Sequence, residues 1–321
     1  MSTFGARLGD IRTIDLACRL PSRLPWPLAY RCFRRLARRE GLFPDAVAGA
    51  AIAPQTLPIA DVAAFRRDVR TTMLLDTADL YLSRRHRLDW WPESVAVEGE
   101  WPRHGAFLAI TFHYGTGIWL CRSLRRAGHR ARFLSGRFDA ADFTGRPRVY
   151  RYGIERLAEV ERIGGAPPIF RPGARADILR TLDAGDCVIG LIDVPPRLAP
   201  RDQRPATLLG QRASLPDGLV RLAREAGVPV VPCWVEVDFA RGTRRVVIEP
   251  PLRVTQDAGV LDHFAAVLDR IVRAQPAAWQ FWREWPAWIA DARGLHAGRA
   301  FSNEQGAGTL DHSDATTGSG T

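Results

Sequence analysis

Hydrophobic and polar positions along this chain fall into blocks whose period switches between extended and helical. Five short apolar or β-branched runs have the length and composition of buried strands: AFLAITF (106–112), ARFLS (131–135), CVIGLID (187–193), VPVVPCWVEV (228–237) and RRVVIEP (244–250). Between them, spacing near three and four predicts helices over 60–82, 116–127, 173–184, 216–226 and 260–274, the first carrying Phe65, Val69, Met73, Leu74 and Leu80. Strands and helices in alternation predict an α/β fold with a central, mostly parallel sheet flanked by helices. The last two strand runs flank ARGT, which reads as a hairpin turn. Residues 1–94 form an N-terminal helical region in this division and 95–298 the α/β domain. Residues 299–321, polar and poor in groups able to support burial, are expected to be a disordered tail. Just before it, WQFWREWPAWI places four tryptophans in eleven residues. That pattern predicts a C-terminal helix burying an aromatic face, with an interfacial membrane belt as the alternative.

Composition narrows the chemistry. With 321 residues and 46% hydrophobic content the chain can bury a substantial core. Its 45 basic residues exceed 35 acidic ones to give +10, and every basic residue is Arg. A Schiff-base lysine and a lysine-bearing phosphate loop are therefore excluded, because both need an amine. The five cysteines are scattered, with no metal-ligand spacing to histidine, so neither a metal nor a cofactor is expected. Their scatter and apolar settings fit a reducing cytoplasm. No helix-turn-helix, zinc-finger or RNA-binding signature accompanies the positive charge, which argues against nucleic acid as the partner. No G-x-S-x-G elbow is present either. The N-terminus lacks a signal-peptide layout, and no run of about 18 apolar residues suggests a membrane span. PLAYRCFRRLARR, from Pro27, interleaves Leu, Tyr and Phe with arginines, as either a basic interfacial helix or a solvated helix packed by its apolar stripe.

The stretch ITFHYGTGIWLC (110–121) carries two readings. As strand, glycine turn and helix, Gly115 and Gly117 begin a dinucleotide-binding fingerprint, with Arg137 placed to meet a 2'-phosphate. Leu120 then stands where a third small residue is needed for close packing. Alternatively, His113 sits at the carboxyl end of a strand, immediately before a helix, and serves as a general base at the edge where open α/β sheets bind ligands.

From about Val95 to Trp288 the chain resembles the lipid A biosynthesis acyltransferase family, the late lauroyl and myristoyl type. The resemblance rests first on LLGQRASLPDGLVRLAREAGVPVVPCWVEVDFARGTRRVVIEPPL (208–252), then on the L-x-x-G-D-x-V-x-G-L-I-D run at 182–193 and the Trp-rich segment after AQPAAWQFW. It places ITFHYGTGIW on the family's H-F-G-N-W-[DE] block, with His113 on the catalytic histidine. The family's acid lies five residues later, where this chain has Ile118, and Thr116 replaces the family's Asn. Three readings follow: an acid from another loop (Asp139, Asp142 or Asp193) serves His113, the imidazole works without an orienter, or catalysis is lost. Asp193, on the aspartate of the family's L-x-D-Q block, is the preferred partner.

The resemblance implies an acyltransferase fold of the glycerol-3-phosphate acyltransferase type. It also implies transfer of a fatty acyl group from an acyl carrier protein or coenzyme A thioester to a hydroxyl of a lipid-like acceptor. His113 and Asp193 are the expected catalytic residues, and Gly115, Thr116, Arg151 and Arg156 the expected substrate contacts. A peripheral place on the inner face of a bacterial inner membrane goes with that reading. The alternative is a lipid-binding or scaffolding protein that kept the fold and lost the reaction.

Overall fold

The computed structural model describes residues 9–200 and 203–290. Nine strands occur among them, numbered in chain order: β1 (Val95–Glu98), β2 (Leu108–Thr111), β3 (Ala131–Gly136), β4 (Ile169–Arg171), β5 (Cys187–Leu191), β6 (Gln203–Leu208), β7 (Gln211–Pro216), β8 (Val230–Val237) and β9 (Arg244–Ile248). Seven build one sheet in the order β1-β9-β8-β2-β5-β3-β4, while β6 and β7 pair separately. Within the large sheet every neighbouring pair is parallel except β8 with β9, which run antiparallel on either side of the ARGT turn. The coarse expectation of a mostly parallel α/β sheet is met.

The central strands are buried on both faces, and this explains why they read as unbroken apolar runs rather than alternating ones. Successive residues supply opposite faces: Leu108 and Ile110 join one core cluster while Ala109 joins the other, and Val188 and Ile189 divide likewise. The strands that pattern reading misses lack this signature. β1 is an edge strand with only Val95 buried, and β4 has three residues. The β6–β7 hairpin turns through Leu209 and Gly210, both left-handed at φ 53° and 74°, and its strands mix Arg and Gln with Leu and Ala.

The five expected helices form within a few residues of their predicted bounds, as Val62–Arg85, Ile118–Arg126, Arg175–Asp183, Gly218–Ala226 and Asp257–Ala274. A further long helix, Pro147–Gly164, starts with proline in its first turn and stops at left-handed Gly165. Asp61 caps Val62–Arg85 by accepting from the Ala64 N–H at 2.8 Å, and arginines 84 and 85 close its last turn.

The helical region does not stand apart from the sheet. From the Val62–Arg85 helix, the Thr72 hydroxyl donates to the Ala277 carbonyl at 3.0 Å. Two turns on, the fully buried Asp79 carboxylate takes both arms of the fully buried Arg244 guanidinium on β9. Arg244 also lies 3.7 Å from the Trp26 ring centroid, and burial pushes its pKa down to about 9. Desolvation offsets much of such a pair's attraction, so its role is positional: either charge alone in that core costs about 3–5 kcal/mol.

The Trp-rich segment differs from the predicted single helix. Its four tryptophans are buried, as expected, but Trp279 forms an extended bridge to Tyr114, and a 3₁₀ turn (Trp282–Glu284) precedes helical residues 285–290. The 299–321 tail expectation lies outside the described residues. No helix among the described residues is long and apolar enough to cross a membrane.

Candidate functional site

Two neighbouring parallel strands end level with each other at the carboxyl edge of the sheet. Thr111 of β2 stands opposite Leu191 of β5, and the ladder continues one step further with the Ile192 N–H donating to the Thr111 carbonyl at 3.0 Å. The next residues on each chain are His113, one beyond Phe112, and Asp193. They meet: His113 Nδ1 lies 2.9 Å from Asp193 Oδ1. The same carboxylate receives the His113 backbone N–H at 3.0 and 2.8 Å, and the Trp279 indole N–H reaches Oδ2 at 3.0 Å. Asp193 is fully buried. A carboxylate ringed by N–H donors acts as acceptor only, so Nδ1 carries its proton toward Asp193 and Nε2 keeps a free lone pair.

The C-terminal segment clamps the histidine loop from above. Phe281 stacks on the imidazole, with ring centroids 3.8 Å apart and planes 15° from parallel. Gln280 donates its backbone N–H to the His113 carbonyl at 2.8 Å and its side-chain amide to the Gly115 carbonyl at 2.9 Å. The Gly115 N–H in turn reaches the Ala278 carbonyl at 2.9 Å. Gly115 holds φ at +62°, and a Cβ there would lie 1.8 Å from the Val235 carbonyl oxygen. Only glycine permits both the left-handed turn and this close approach to β8.

His113, 30% exposed, opens onto a cavity of 690 Å³ whose lining joins two kinds of surface. Phe133, Leu134, Leu157 and Val160 offer an apolar wall, and Arg137, Arg156, Arg171 and Arg197 bring positive charge. Arg156 holds Asp76 through two bonds of 2.8 and 3.0 Å and also donates to the Tyr152 hydroxyl at 3.0 Å. Burial works against its charge, yet the Asp76 carboxylate outweighs that and keeps the guanidinium above its ordinary pKa. Asp76 Oδ1 also lies 3.4 Å from the Gly117 N–H, at the start of the Ile118–Arg126 helix. Cys121 lines the cavity too, but burial pushes its thiol up to about 12, so it stays protonated and is a poor nucleophile at neutral pH.

Of the residues singled out from sequence, the structure thus brings together His113, Asp193 and Arg156. Arg151 is exposed and lies outside the cavity lining, five residues and so about 140° around the helix from Arg156, which does line it. Gly115 and Thr116 do not line the cavity either. Gly115 shapes the loop, and Thr116 is fully buried with its hydroxyl unpartnered among the described residues. Asp139 caps a 3₁₀ turn by accepting from the Ala141 N–H at 2.9 Å and is not the partner of His113. Sequence reading missed Trp279, Gln280, Phe281 and Asp76. Their only signal was the aromatic cluster and the acids Asp76 and Asp79 in the middle of the long Val62–Arg85 helix.

Ile118 explains how the carboxylate came to be supplied from β5. Its side chain is 1% exposed inside the apolar cluster with Trp119, Val231 and Val235, a setting that cannot hold a charge. Introducing the acid there, Ile118→Glu, is expected to destabilise the fold by about 3 kcal/mol or more without any gain in activity, since Nδ1 is already engaged. Thermal unfolding and a rate assay on the same preparation check both parts; a stable and more active variant would contradict them.

The fold and site together define an α/β protein with a histidine–carboxylate pair at the carboxyl edge of its sheet, above an amphipathic cavity. No family model matches the chain, and no curated protein matches it.

Proposed function

We propose that the protein is an O-acyltransferase that moves a fatty acyl group from a thioester of acyl carrier protein or coenzyme A to a hydroxyl of a lipid-like acceptor. The observation that carries this reading is the His113–Asp193 pair beside a cavity lined by both apolar side chains and arginines. His113 Nε2 takes the acceptor's hydroxyl proton as the oxygen attacks the thioester carbonyl. Asp193 stabilises the imidazolium that forms. The positive end of the Ile118–Arg126 helix, which begins five residues after His113, favours the developing oxyanion. Collapse breaks the C–S bond, and the imidazolium returns its proton to the departing thiolate. Atoms and charge balance with no covalent enzyme intermediate, in keeping with the protonated Cys121 thiol.

The apolar wall suits the acyl chain and the arginines suit phosphate or carboxylate on either substrate. Having its carboxylate in place favours an enzyme over the lipid-binding reading, in which the acid would be missing. The test is release of thiol coupled to acylation of a membrane lipid extract. Activity that disappears in His113→Ala supports the enzyme, and wild-type protein that binds lipid but consumes no thioester refutes it.

A peripheral position on the inner face of the cell membrane belongs to the same proposal. Ile11, Leu16, Leu20, Leu24 and Leu28 are all exposed within the N-terminal helical region, interleaved with exposed Arg12, Arg19, Arg23 and Arg31. Apolar side chains that enter the interface beside cations that meet anionic headgroups form a membrane-seating surface. Leu20→Asp with Leu24→Asp is expected to weaken co-sedimentation with anionic vesicles by about tenfold while leaving the melting temperature unchanged. Undiminished binding would remove this surface from the proposal.

A further inference from the structure

The arginines of PLAYRCFRRLARR find a use outside the site described above. The helix formed by this stretch, Trp26–Leu36, buries Ala29, Tyr30 and Phe33 and so packs by its apolar stripe. Its other flank faces the Val62–Arg85 helix across a cavity of 920 Å³. Arg34, Arg38, Arg66, Arg67 and Arg70 line that cavity against two carboxylates, Glu40 and Asp68. Burial pushes Asp68 up to about 6, so at neutral pH it still carries most of its charge, and the five arginines outnumber the two carboxylates.

Arg70 is the distinctive member. It is 7% exposed, its Nη1 donates to the Ala37 carbonyl at 3.3 Å, and its Nε has no hydrogen-bond partner. Among the described residues no carboxylate pairs with Arg34, Arg38, Arg66 or Arg70, and Arg67 meets Asp61 only at 3.9 Å. Four exposed arginines around a buried one give the charge and the bidentate geometry that phosphate oxygens match.

We propose that this cavity is a second binding site, for a phosphate-bearing ligand, with Arg70 at its floor and Arg34, Arg38, Arg66 and Arg67 around the phosphate group. It shares no lining residue with the His113 cavity. The two sites nonetheless share a helix, Arg70 and Asp76 lying about 9 Å apart along its axis. The shared chemistry is a diphosphate or clustered phosphate monoester, carried either by coenzyme A or by an anionic lipid headgroup.

Calorimetric titration of the full-length protein with inorganic pyrophosphate tests the site. Wild type binds saturably and more weakly as salt rises. Arg66→Glu and Arg38→Glu each weaken binding by about tenfold, and Arg70→Gln by at least as much. Arg103→Glu, which reverses an exposed arginine outside the cavity, leaves it unchanged. Absence of saturable binding, or equal weakening by Arg103→Glu, overturns the proposal. If Arg70→Gln lowers the melting temperature, the two surface variants decide. Displacement of pyrophosphate by coenzyme A, but less well by its 3'-dephospho form, identifies the soluble thioester carrier as the source. Displacement by short-chain phosphatidic acid identifies a lipid headgroup, and displacement by neither counts against the ligand class. His113→Ala retains wild-type pyrophosphate affinity, so a failed acyl-transfer assay and a failed anion site are separate results.

Discussion

Asp193→Asn is expected to lower the proposed acyl transfer by about 10³–10⁴-fold while leaving the cavity and acceptor binding largely intact. The carboxylate performs three jobs at once: it accepts the Nδ1 proton of His113, the backbone N–H of the same residue and the indole N–H of Trp279. An amide has one acceptor oxygen where the carboxylate has two. One of those donors then faces an NH₂ group, or the imidazole turns to its other tautomer and loses the free lone pair on Nε2. The first outcome costs about 1–3 kcal/mol of stability and the second removes the base. His113→Ala deletes the base outright and brings a comparable loss in kcat, about 10²–10⁴-fold, because cavity and oxyanion donors survive. Rates with a saturating acyl thioester, measured alongside melting temperatures, separate chemistry from folding. An Asp193→Asn protein that turns over like wild type would show that His113 works without its partner.

Gly115→Ala is expected to destabilise the protein by about 3 kcal/mol or more and to abolish activity, although position 115 does not line the cavity. Two independent causes act together. An alanine at φ +62° is strained, and its Cβ would lie 1.8 Å from the Val235 carbonyl oxygen, a separation no packing adjustment of side chains can relieve. The loop or β8 must move. Because the Gly115 N–H and carbonyl hold the Ala278–Gln280 segment, that movement releases Phe281 from the face of His113 and Trp279 from Asp193. Chemical denaturation gives the stability change, and quenching of the buried tryptophans reports the loosened segment. A Gly115→Ala protein with unchanged midpoint and rate would place the strain elsewhere.

Much of the architecture was legible from local pattern. The central strands β2, β5 and β8 announce themselves because burial on both faces demands unbroken apolar runs, while β3 and β9 carry enough apolar and β-branched residues to be read even though β3 is only partly buried and β9 exposes Arg245. β1 and β4 were silent for the converse reason: an edge strand with one buried residue and a strand of three residues impose almost no pattern. The hairpin β6–β7 hid behind Arg204 and Arg212, which are exposed on opposite faces of a two-stranded ribbon and so break a simple alternation. In the site, His113 could be singled out from its place between a strand run and a glycine turn. Ranking Arg151 with Arg156 showed the limit of that approach, since five residues on a helix separate them by more than a full turn and point them to different faces.

The chain by itself determined five of the strands and five of the helices, that no lysine chemistry is available, and that a histidine follows β2 with no acid in the next turn. Periodicity and composition are properties of neighbouring residues, so they can be read without the fold. Only the tertiary structure decided which carboxylate reaches His113. Residues 80 positions apart are brought within 2.9 Å because β2 and β5 are adjacent, parallel and in register, and strand order is a global outcome of how helices and sheet bury one another. The same holds for Trp279 and Phe281, whose hydrogen bond and stacking contact exist only once the C-terminal segment crosses the sheet edge. Asp193, just beyond β5, is satisfied there by the buried donors of His113 and Trp279, while Ile118 completes the apolar core.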